Sequence, residues 1–261
     1  MLSQAQRRAI ADELAHAERE RKTVPPLVGR YEGIDVEDAY AIQLLQIGDK
    51  LDAGRLIRGH KVGLSSPAMQ RMMNVTEPDY GHLLDDMFVF ENTRIDVGAL
   101  IQPRVEFEVA FVLGEALPAP GCTVADVLRN TAYVAPSIEI IDSRIEGWRI
   151  GLCDTIADNA SSARVVLGAQ ARSARELDLR LIAAIATKNG EIVETGASGA
   201  VLGNPAVAVA WLANKVHQFG VKLEAGHVIL PGSCTRAVDV VGGDVVTAEF
   251  SGLGSVTISF Q

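Results

Sequence analysis

The chain is short of the features that announce several common protein classes. It has three cysteines in 261 residues, Cys122, Cys153 and Cys234, with no CxxC spacing. An odd, scattered trio frames neither a disulfide scaffold nor a thiolate zinc site, and the three read as small buried hydrophobes. Basic residues are in deficit, 24 Lys and Arg against 33 Asp and Glu, for a net charge of −9. That balance argues against nucleic acid or an anionic membrane as partner and leaves a small-molecule substrate held by local charge. No run approaches the ~20 apolar residues of a membrane span. The opening MLSQAQRRAIADEL has no uninterrupted apolar stretch of the secretory kind, so a cytoplasmic protein is expected. GxGxxG, GxSxG and HExxH are all missing, which removes local support for a dinucleotide site, a serine hydrolase or a zinc protease. Linkers, repeats and low-complexity segments are absent too. With 48% apolar and 22% charged residues, the totals are those of a globular protein of one large or two small domains, and the pattern along 1–261 is expected to give a helical cap (1–55) and a β-rich core (56–261).

Ser3 and Gln6 form a capping box ahead of Ile10, Leu14 and Ala17, a sparse apolar stripe that predicts a surface helix. The prolines of TVPPL break it. Asp35 is the expected N-cap of a second helix, with Tyr40, Leu44, Ile47 and Leu51 inward and Gly54 at its end. From GHKVGLSS (59–66) onward short strands and loops are expected. A short helix PAMQRMMNV follows Ser66 and starts at Pro67, and EPDYGHLLDDM reads as a breaker-rich loop. Thr123 caps another helix, and CDTIADNASSARVVLG reads as a polar turn leading into a strand. Asn189-Gly190 marks a hairpin. Asn204-Pro205 starts a helix with Val209, Leu212, Val216 and Phe219 on its core face, stopped by Gly220. The remainder is strand and turn. This order predicts an α+β fold with a mixed or antiparallel sheet rather than a regular βαβ series.

The most informative stretch is QPRVEFEVAFVL (102–113). As a strand it points Val105, Phe107, Val109 and Phe111 one way and Glu106 and Glu108 the other. Two carboxylates ~7 Å apart on one face repel unless neutralised, and a hard divalent cation does this economically. An ordinary solvent-facing strand is the alternative. SIEIIDSR (137–144) repeats the alternation, with Ser137, Glu139 and Ile141 on one face, and supplies a third carboxylate. An all-oxygen set points to Mg²⁺ or Mn²⁺ with positions left for a ligand carrying two adjacent oxygens. Lys61 in GHKVG is either close to anionic ligands or a solvated surface lysine. Asp79 in EPDYG is either a general acid/base or a turn-forming residue. His60 and His82 are proton carriers or packed histidines.

In order along the chain, GHKVGLSSPAMQ, EPDYGHLLDDM, QPRVEFEVAFVL, IEIIDSR, DTIADNASS, LGNPAVAVAWLANK, LPGS and GLGSV resemble the 2-hydroxypenta-2,4-dienoate (2-oxopent-4-enoate) hydratases of the fumarylacetoacetate hydrolase-like superfamily. The resemblance covers essentially the whole chain, and the loop wording is most similar to the steroid-degradation 2-hydroxyhexa-2,4-dienoate hydratases. It implies a fumarylacetoacetate hydrolase C-terminal-like fold, a mixed β-sheet roll with an N-terminal helical cap. It implies Mg²⁺ or Mn²⁺ on Glu106, Glu108 and Glu139, catalytic Lys61 and Asp79, and substrate-binding Ser161 and Ser233. The implied reaction is hydration of a 2-hydroxy-2,4-dienoate to a 4-hydroxy-2-oxoacid in meta-cleavage degradation of aromatic or steroid rings. The implied assembly is a homo-oligomer, with a downstream 4-hydroxy-2-oxoacid aldolase as partner. The related 4-oxalocrotonate decarboxylases share the glutamates and the DNASS turn but carry an apolar residue in place of the PDYG aspartate, so Asp79 favours hydration. Arg164 points the other way, because the hydratases usually have glycine there and the decarboxylases arginine. A 2-oxo acid decarboxylase, and a non-catalytic partner subunit, stay open as alternatives.

Overall fold

The computed structural model describes residues 1–73 and 75–261. Two helices open the chain, α1 (Gln4–Glu20) and α2 (Val36–Asp52), each started by the expected capping box, Ser3 with Gln6 and Asp35 with Asp38. α1 buries Ile10, Ala11, Leu14 and Ala17, as its stripe predicts. α2 is rotated from its expected face. Tyr40 and Ile47 are buried, but beside Ala39, Ile42 and Gln43, while Leu51 is 38% exposed. The cause is a polar anchor that a hydrophobic stripe does not register: the Gln43 amide donates to the Tyr80 and Ile156 carbonyls, both at 2.9 Å.

Next come β1 (Ile57–Gly63) and α3 (Pro67–Met73); the expected continuation of α3 into Asn74 lies outside the described residues. The segment EPDYGHLLDDM is not a loop. Most of it is β2 (Asp79–Leu84), antiparallel to β1 and buried at every residue. A strand enclosed on both faces shows no apolar alternation, and the Asp, Gly and His in this one imitate a turn. Two short strands, β3 (Phe88–Val89) and β4 (Arg94–Ile95), lead to the long β5 (Pro103–Leu113). After the Thr123-capped α4 (Val124–Asn130) comes β6 (Thr131–Asp142), antiparallel to β5. The expected polar turn at 153–159 is largely a helix, α5 (Leu152–Ala157), because Asp154 accepts the Gly151 N–H at 2.8 Å and organises its first turn. β7 (Ser162–Leu167) follows, then β8 (Ala183–Lys188) and β9 (Glu191–Ala197), joined at Asn189-Gly190 with both residues at positive φ. α6 (Pro205–His217) is capped by Asn204, and β10 (Val228–Leu230), β11 (Val238–Asp239), β12 (Val245–Phe250) and β13 (Gly254–Phe260) complete the chain.

Among the described residues the strands form two sheets, ordered β2-β1-β10-β5-β6-β7-β3, with β11 beside β5, and β4-β13-β12-β8-β9. The sheets are mixed: β1–β10, β3–β7 and β4–β13 run parallel and the other pairs antiparallel. An α+β fold with helices at the N-terminus is therefore what these residues form. Val105, Phe107, Val109 and Phe111 of β5 enter one apolar cluster that also takes in α1 and α2. On the other face, Ala110 and Val112 join a smaller cluster with Leu83, Leu84 and Leu230. Beta-strand alternation thus leaves Glu106 and Glu108 on a face that is apolar at its far end. Among the described residues no helix is long and apolar enough to cross a membrane. Cys122 and Cys234 are buried, Cys153 is half-buried, and all three are unpaired thiols.

Candidate metal centre and active-site cavity

Register brings the glutamates together. Glu106 lies directly opposite Glu139 in the β5–β6 pair, and Glu108 is two residues along, opposite Ser137. One carboxylate oxygen from each falls within 4.8 Å of the others. Glu108 and Glu139 are fully buried and Glu106 is half-buried. Glu108 Oε2 accepts the Gly232 N–H at 2.6 Å, whereas its Oε1 and both oxygens of Glu139 have no hydrogen bond. Lys61 Nζ stands 3.5 Å from Glu139 Oε2 and donates to the Ala160 carbonyl at 3.0 Å.

The electrostatics follow from burial. It pushes the Glu139 carboxyl up to about 7 and Glu108, beside Glu139 and Glu106, well above the usual range. Burial also raises Glu106, with Asp79 adding to the effect and Lys61 opposing it. For Lys61 burial favours the neutral amine, but the surrounding carboxylates of Glu139, Glu106, Asp79 and Glu108 outweigh it and hold the ammonium charged. One cation cannot neutralise this many acids. The unpartnered buried oxygens and the oxygen-only donor set fit a hard divalent cation with open positions.

Asp79 faces the same space from β2. Its register partner on β1 is Gly63, where a Cβ would lie 2.1 Å from Asp79 Oδ1, so only glycine leaves room for the carboxyl. Both Asp79 oxygens are buried without a hydrogen-bond partner, and burial raises the carboxyl's pKa against the pull of Lys61. Lys61, Asp79, Glu106, Ser161 and Ser233 all line one cavity of about 190 Å³, with Glu108 and Glu139 buried behind Glu106. Ser233 is steadied by Phe107, whose N–H donates to its Oγ at 3.2 Å.

Ser161 is aimed by a left-handed turn. Asn159, Ala160 and Ser161 have φ of 51°, 50° and 56°, a run that costs roughly 1–2 kcal/mol per residue for L-amino acids. Two anchors hold it. The Asn159 amide pairs like a strand with the backbone of His82, accepting its N–H at 2.8 Å and donating to its C=O at 2.9 Å. Buried Arg144 pairs with Asp158, whose Oδ2 also accepts from Ser161 Oγ at 3.3 Å. The same turn delivers the Ala160 carbonyl to Lys61.

Residues 62–261 match the family model described as Fumarylacetoacetate (FAA) hydrolase C-terminal. The chain belongs to that family. It is 44% identical over 257 residues to the 2-oxo-hept-4-ene-1,7-dioate hydratase of Escherichia coli, covering 96% of each chain. It is 42% identical to the 2-hydroxyhexa-2,4-dienoate hydratase of Comamonas testosteroni, covering 95% of this chain and 94% of that one. Among solved structures, the 4-oxalocrotonate decarboxylase from Pseudomonas putida G7 complexed with magnesium and adipate superimposes with a TM-score of 0.95 at 38% identity, over 100% of this chain and 99% of that one.

Of the alternatives open for three further residues, the structure favours the plainer ones. His60 and His82 do not line the cavity of this FAA-family site; they pack on the opposite face of β1 and β2, their rings tilted at 57° with centroids 4.8 Å apart and no ring nitrogen partnered. Burial lowers both, His82 to about 4. Arg164 pairs across from Ile140, on the face of the sheet opposite Glu139. It borders a separate depression with Glu18, Asp142 and Arg144 and is not among the cavity's lining residues. As a marker of decarboxylation it therefore has no route to the chemistry through contact. The cavity also includes Thr155, Trp148 and Arg104. Arg104 was visible in principle, since it shares the parity of Glu106 on β5. Thr155 and Trp148 have no local signal, because only the docking of the 146–157 segment brings them in.

Proposed function

We propose that the chain is a metal-dependent hydro-lyase that hydrates a 2-hydroxy-2,4-dienoate to a 4-hydroxy-2-oxoacid, as its relatives named hydratases do. The observation that carries this reading is Asp79: a buried, unpartnered carboxyl with a raised pKa in the same cavity as Lys61 and the three-glutamate cluster. Glu106, Glu108 and Glu139 would hold Mg²⁺ or Mn²⁺, and the 4-oxalocrotonate decarboxylase neighbour complexed with magnesium supports a hard divalent ion there. Bound there, the ion would supply Lewis acidity to an oxygen-rich substrate.

Asp79 is the proton carrier. A carboxyl raised toward working pH both gives and takes a proton effectively. It accepts the proton of the 2-hydroxyl and returns one at C5, converting the dienol into a 2-oxo-3-ene. It then deprotonates the water that adds at C4, and C3 takes up a proton to complete the 4-hydroxy-2-oxoacid. Lys61, kept charged by its acidic neighbours, offsets the negative charge that builds on the substrate during both steps. Ser161 and Ser233 offer hydroxyls to the carboxylate end of the substrate from two sides of the cavity. The whole chain acts as one catalytic unit, with 1–55 as its cap.

The same reading makes the protein a cytoplasmic homo-oligomer, with exposed Phe90, Leu181 and Ile192 as candidates for cover by another copy. It hands its product to a 4-hydroxy-2-oxoacid aldolase, since that product is set up for retro-aldol cleavage. The test is spectrophotometric: with Mg²⁺ or Mn²⁺ the dienoate chromophore disappears and 4-hydroxy-2-oxoacid accumulates without CO₂. Release of CO₂ from a 2-oxo-dioate, with no hydration, would overturn the reading in favour of a decarboxylase.

A further inference from the structure

Among the described residues Lys61 is the one cation paired with the three glutamates, and the pairing is loose. Its Nζ stands 3.5 Å from Glu139 Oε2, with no hydrogen bond to either Glu139 oxygen, whereas its bond to the Ala160 carbonyl is 3.0 Å long. The other cationic group lining the cavity, Arg104, is tied through Nε to Asp239 at 2.7 Å. The approach of the Ala160 carbonyl is built into the sheet. Lys61 on β1 lies across from Gly81 on β2. A Cβ on Gly81 would stand 2.4 Å from the Asn159 carbonyl oxygen and 3.0 Å from Ser162 Oγ, so only glycine lets the 159–161 turn settle against the strand. That turn is left-handed at three consecutive non-glycine residues. Backbone strain of this kind persists only where the surroundings over-determine it, and here it delivers one carbonyl to one ammonium.

We infer that the Ala160 carbonyl is a tether that keeps Lys61 off the glutamate oxygens, and that Lys61 is a counter-charge which competes with the metal ion instead of supporting it. The two roles open to an ammonium beside metal ligands differ in geometry. A group that orients a ligand carboxylate donates a hydrogen bond to it, and its loss weakens metal binding. A group held out of hydrogen-bond range contributes charge alone: it stabilises the acids of the metal-free protein and repels a divalent ion entering among them. Lys61 meets the second description. Without the tether, its flexible four-carbon stem would let the ammonium close on Glu139 and occupy the oxygens that a metal needs. With the tether, both Glu139 oxygens stay unpartnered although a cation is nearby. Once a divalent ion balances the acids, the charge of Lys61 is available to a substrate anion.

Competition of this kind rests on the metal part of the proposed function and not on hydration, so binding and stability test it without turnover. By calorimetry, Lys61→Met, which keeps the stem and removes the charge, should bind Mg²⁺ about 10- to 100-fold more tightly than the wild type. Gly81→Ala, which pushes the turn and its carbonyl away, should bind Mg²⁺ about tenfold more weakly. Lys61→Met in the Gly81→Ala background should bring the affinity back to at least that of the wild type, a rescue that structural damage alone would not allow. In chelator, Lys61→Met should unfold at lower urea than the wild type, and saturating Mg²⁺ should narrow the gap. Weaker or unchanged Mg²⁺ binding in Lys61→Met would overturn the competition, the first by making Lys61 a support of Glu139. A stability gap as wide in Mg²⁺ as in chelator would overturn it too. Should Lys61→Met fold only with Mg²⁺, its urea midpoint as a function of free Mg²⁺ still yields the Kd that decides the sign. If the wild type binds neither Mg²⁺ nor Mn²⁺, the metal reading falls and this role of Lys61 with it; wild-type binding that Lys61→Met leaves unmoved sinks the Lys61 role alone.

Discussion

Replacing Glu139 by glutamine should make the metal-free protein more stable at neutral pH while destroying its response to metal. Burial raises this carboxyl from an ordinary 4.5 to about 7. The folded state therefore binds more protons than the unfolded chain between those values. Stability is fully present below about pH 4.5 and is lost as pH rises through about 7, by roughly 3 kcal/mol at about 1.36 kcal/mol per pH unit. Glutamine keeps the shape and removes the ionisation. It forfeits the 3.5 Å ion pair with Lys61, but the ammonium keeps the Ala160 carbonyl at 3.0 Å and the charges of Glu106 and Asp79. In chelator, the melting temperature of the wild type should fall relative to Glu139→Gln by about 6–12 °C between pH 5 and pH 8, at roughly 2–4 °C per kcal/mol. Taking the difference between the two proteins cancels the titrating groups remote from Glu139, while Glu108 and Lys61, which feel its charge, shift with the substitution. Saturating Mg²⁺ should then raise the wild type at pH 8 by about 2.7 kcal/mol equivalent at 100 times Kd and leave Glu139→Gln unmoved. Parallel pH profiles in chelator, or an equal Mg²⁺ response in both proteins, would refute the placement of Glu139 in a buried acidic metal site.

Asp79→Asn should lower kcat by about 10²–10⁴-fold, the usual worth of a general acid/base, with Mg²⁺ affinity by calorimetry unchanged; an unaltered kcat would reduce Asp79 to a structural residue. His82→Leu should flatten the acid limb of the Mg²⁺-loaded protein's stability. His82 is held at about 4, below the ordinary 6.5, so its contribution is complete above pH 6.5 and is lost as pH falls toward 4, by at most roughly 3 kcal/mol, measurable by urea titration across that window. Arg164→Gly should change kcat/KM by less than about threefold and leave the hydration-to-decarboxylation ratio unaltered, since the side chain sits on the other face of β7 from the glutamates; a switch in product would show that Arg164 reaches the chemistry after all. Arg164 is half-buried within β7, so glycine there should also lower stability by about 0.5–1 kcal/mol through backbone entropy.

Much of the site was readable before any tertiary structure, and the reason is strand periodicity. Alternation over 105–111 separates the apolar residues from Glu106 and Glu108 whatever the strand packs against, and Glu139 follows by the same rule in 137–141. Helix starts were similarly local: Ser3, Asp35, Thr123 and Asn204 each cap the helix expected of them, because an N-cap acts within three residues. What the chain order could not reveal is which polar residues are enclosed. Asp79 reads as a turn until β1 is laid beside it and Gly63 opens a space for its carboxyl. His60 and His82 read as either proton carriers or packed histidines, and strand parity and burial place them, packed, behind the sheet. Register, a property of two strands at once, set Glu106 against Glu139 and turned Arg164 away from both.

Sequence by itself therefore determined the chemistry on offer: three carboxylates of one strand parity, a lysine, an aspartate and a serine turn. Tertiary structure decided their consequences. It buried the acids together so that their charges demand a cation, left Asp79 without a partner, and carried Trp148 under Arg104 at the edge of the cavity. The physical reason is range. Caps and alternation act over a few residues along the chain, whereas desolvation and charge coupling depend on neighbours that only folding supplies.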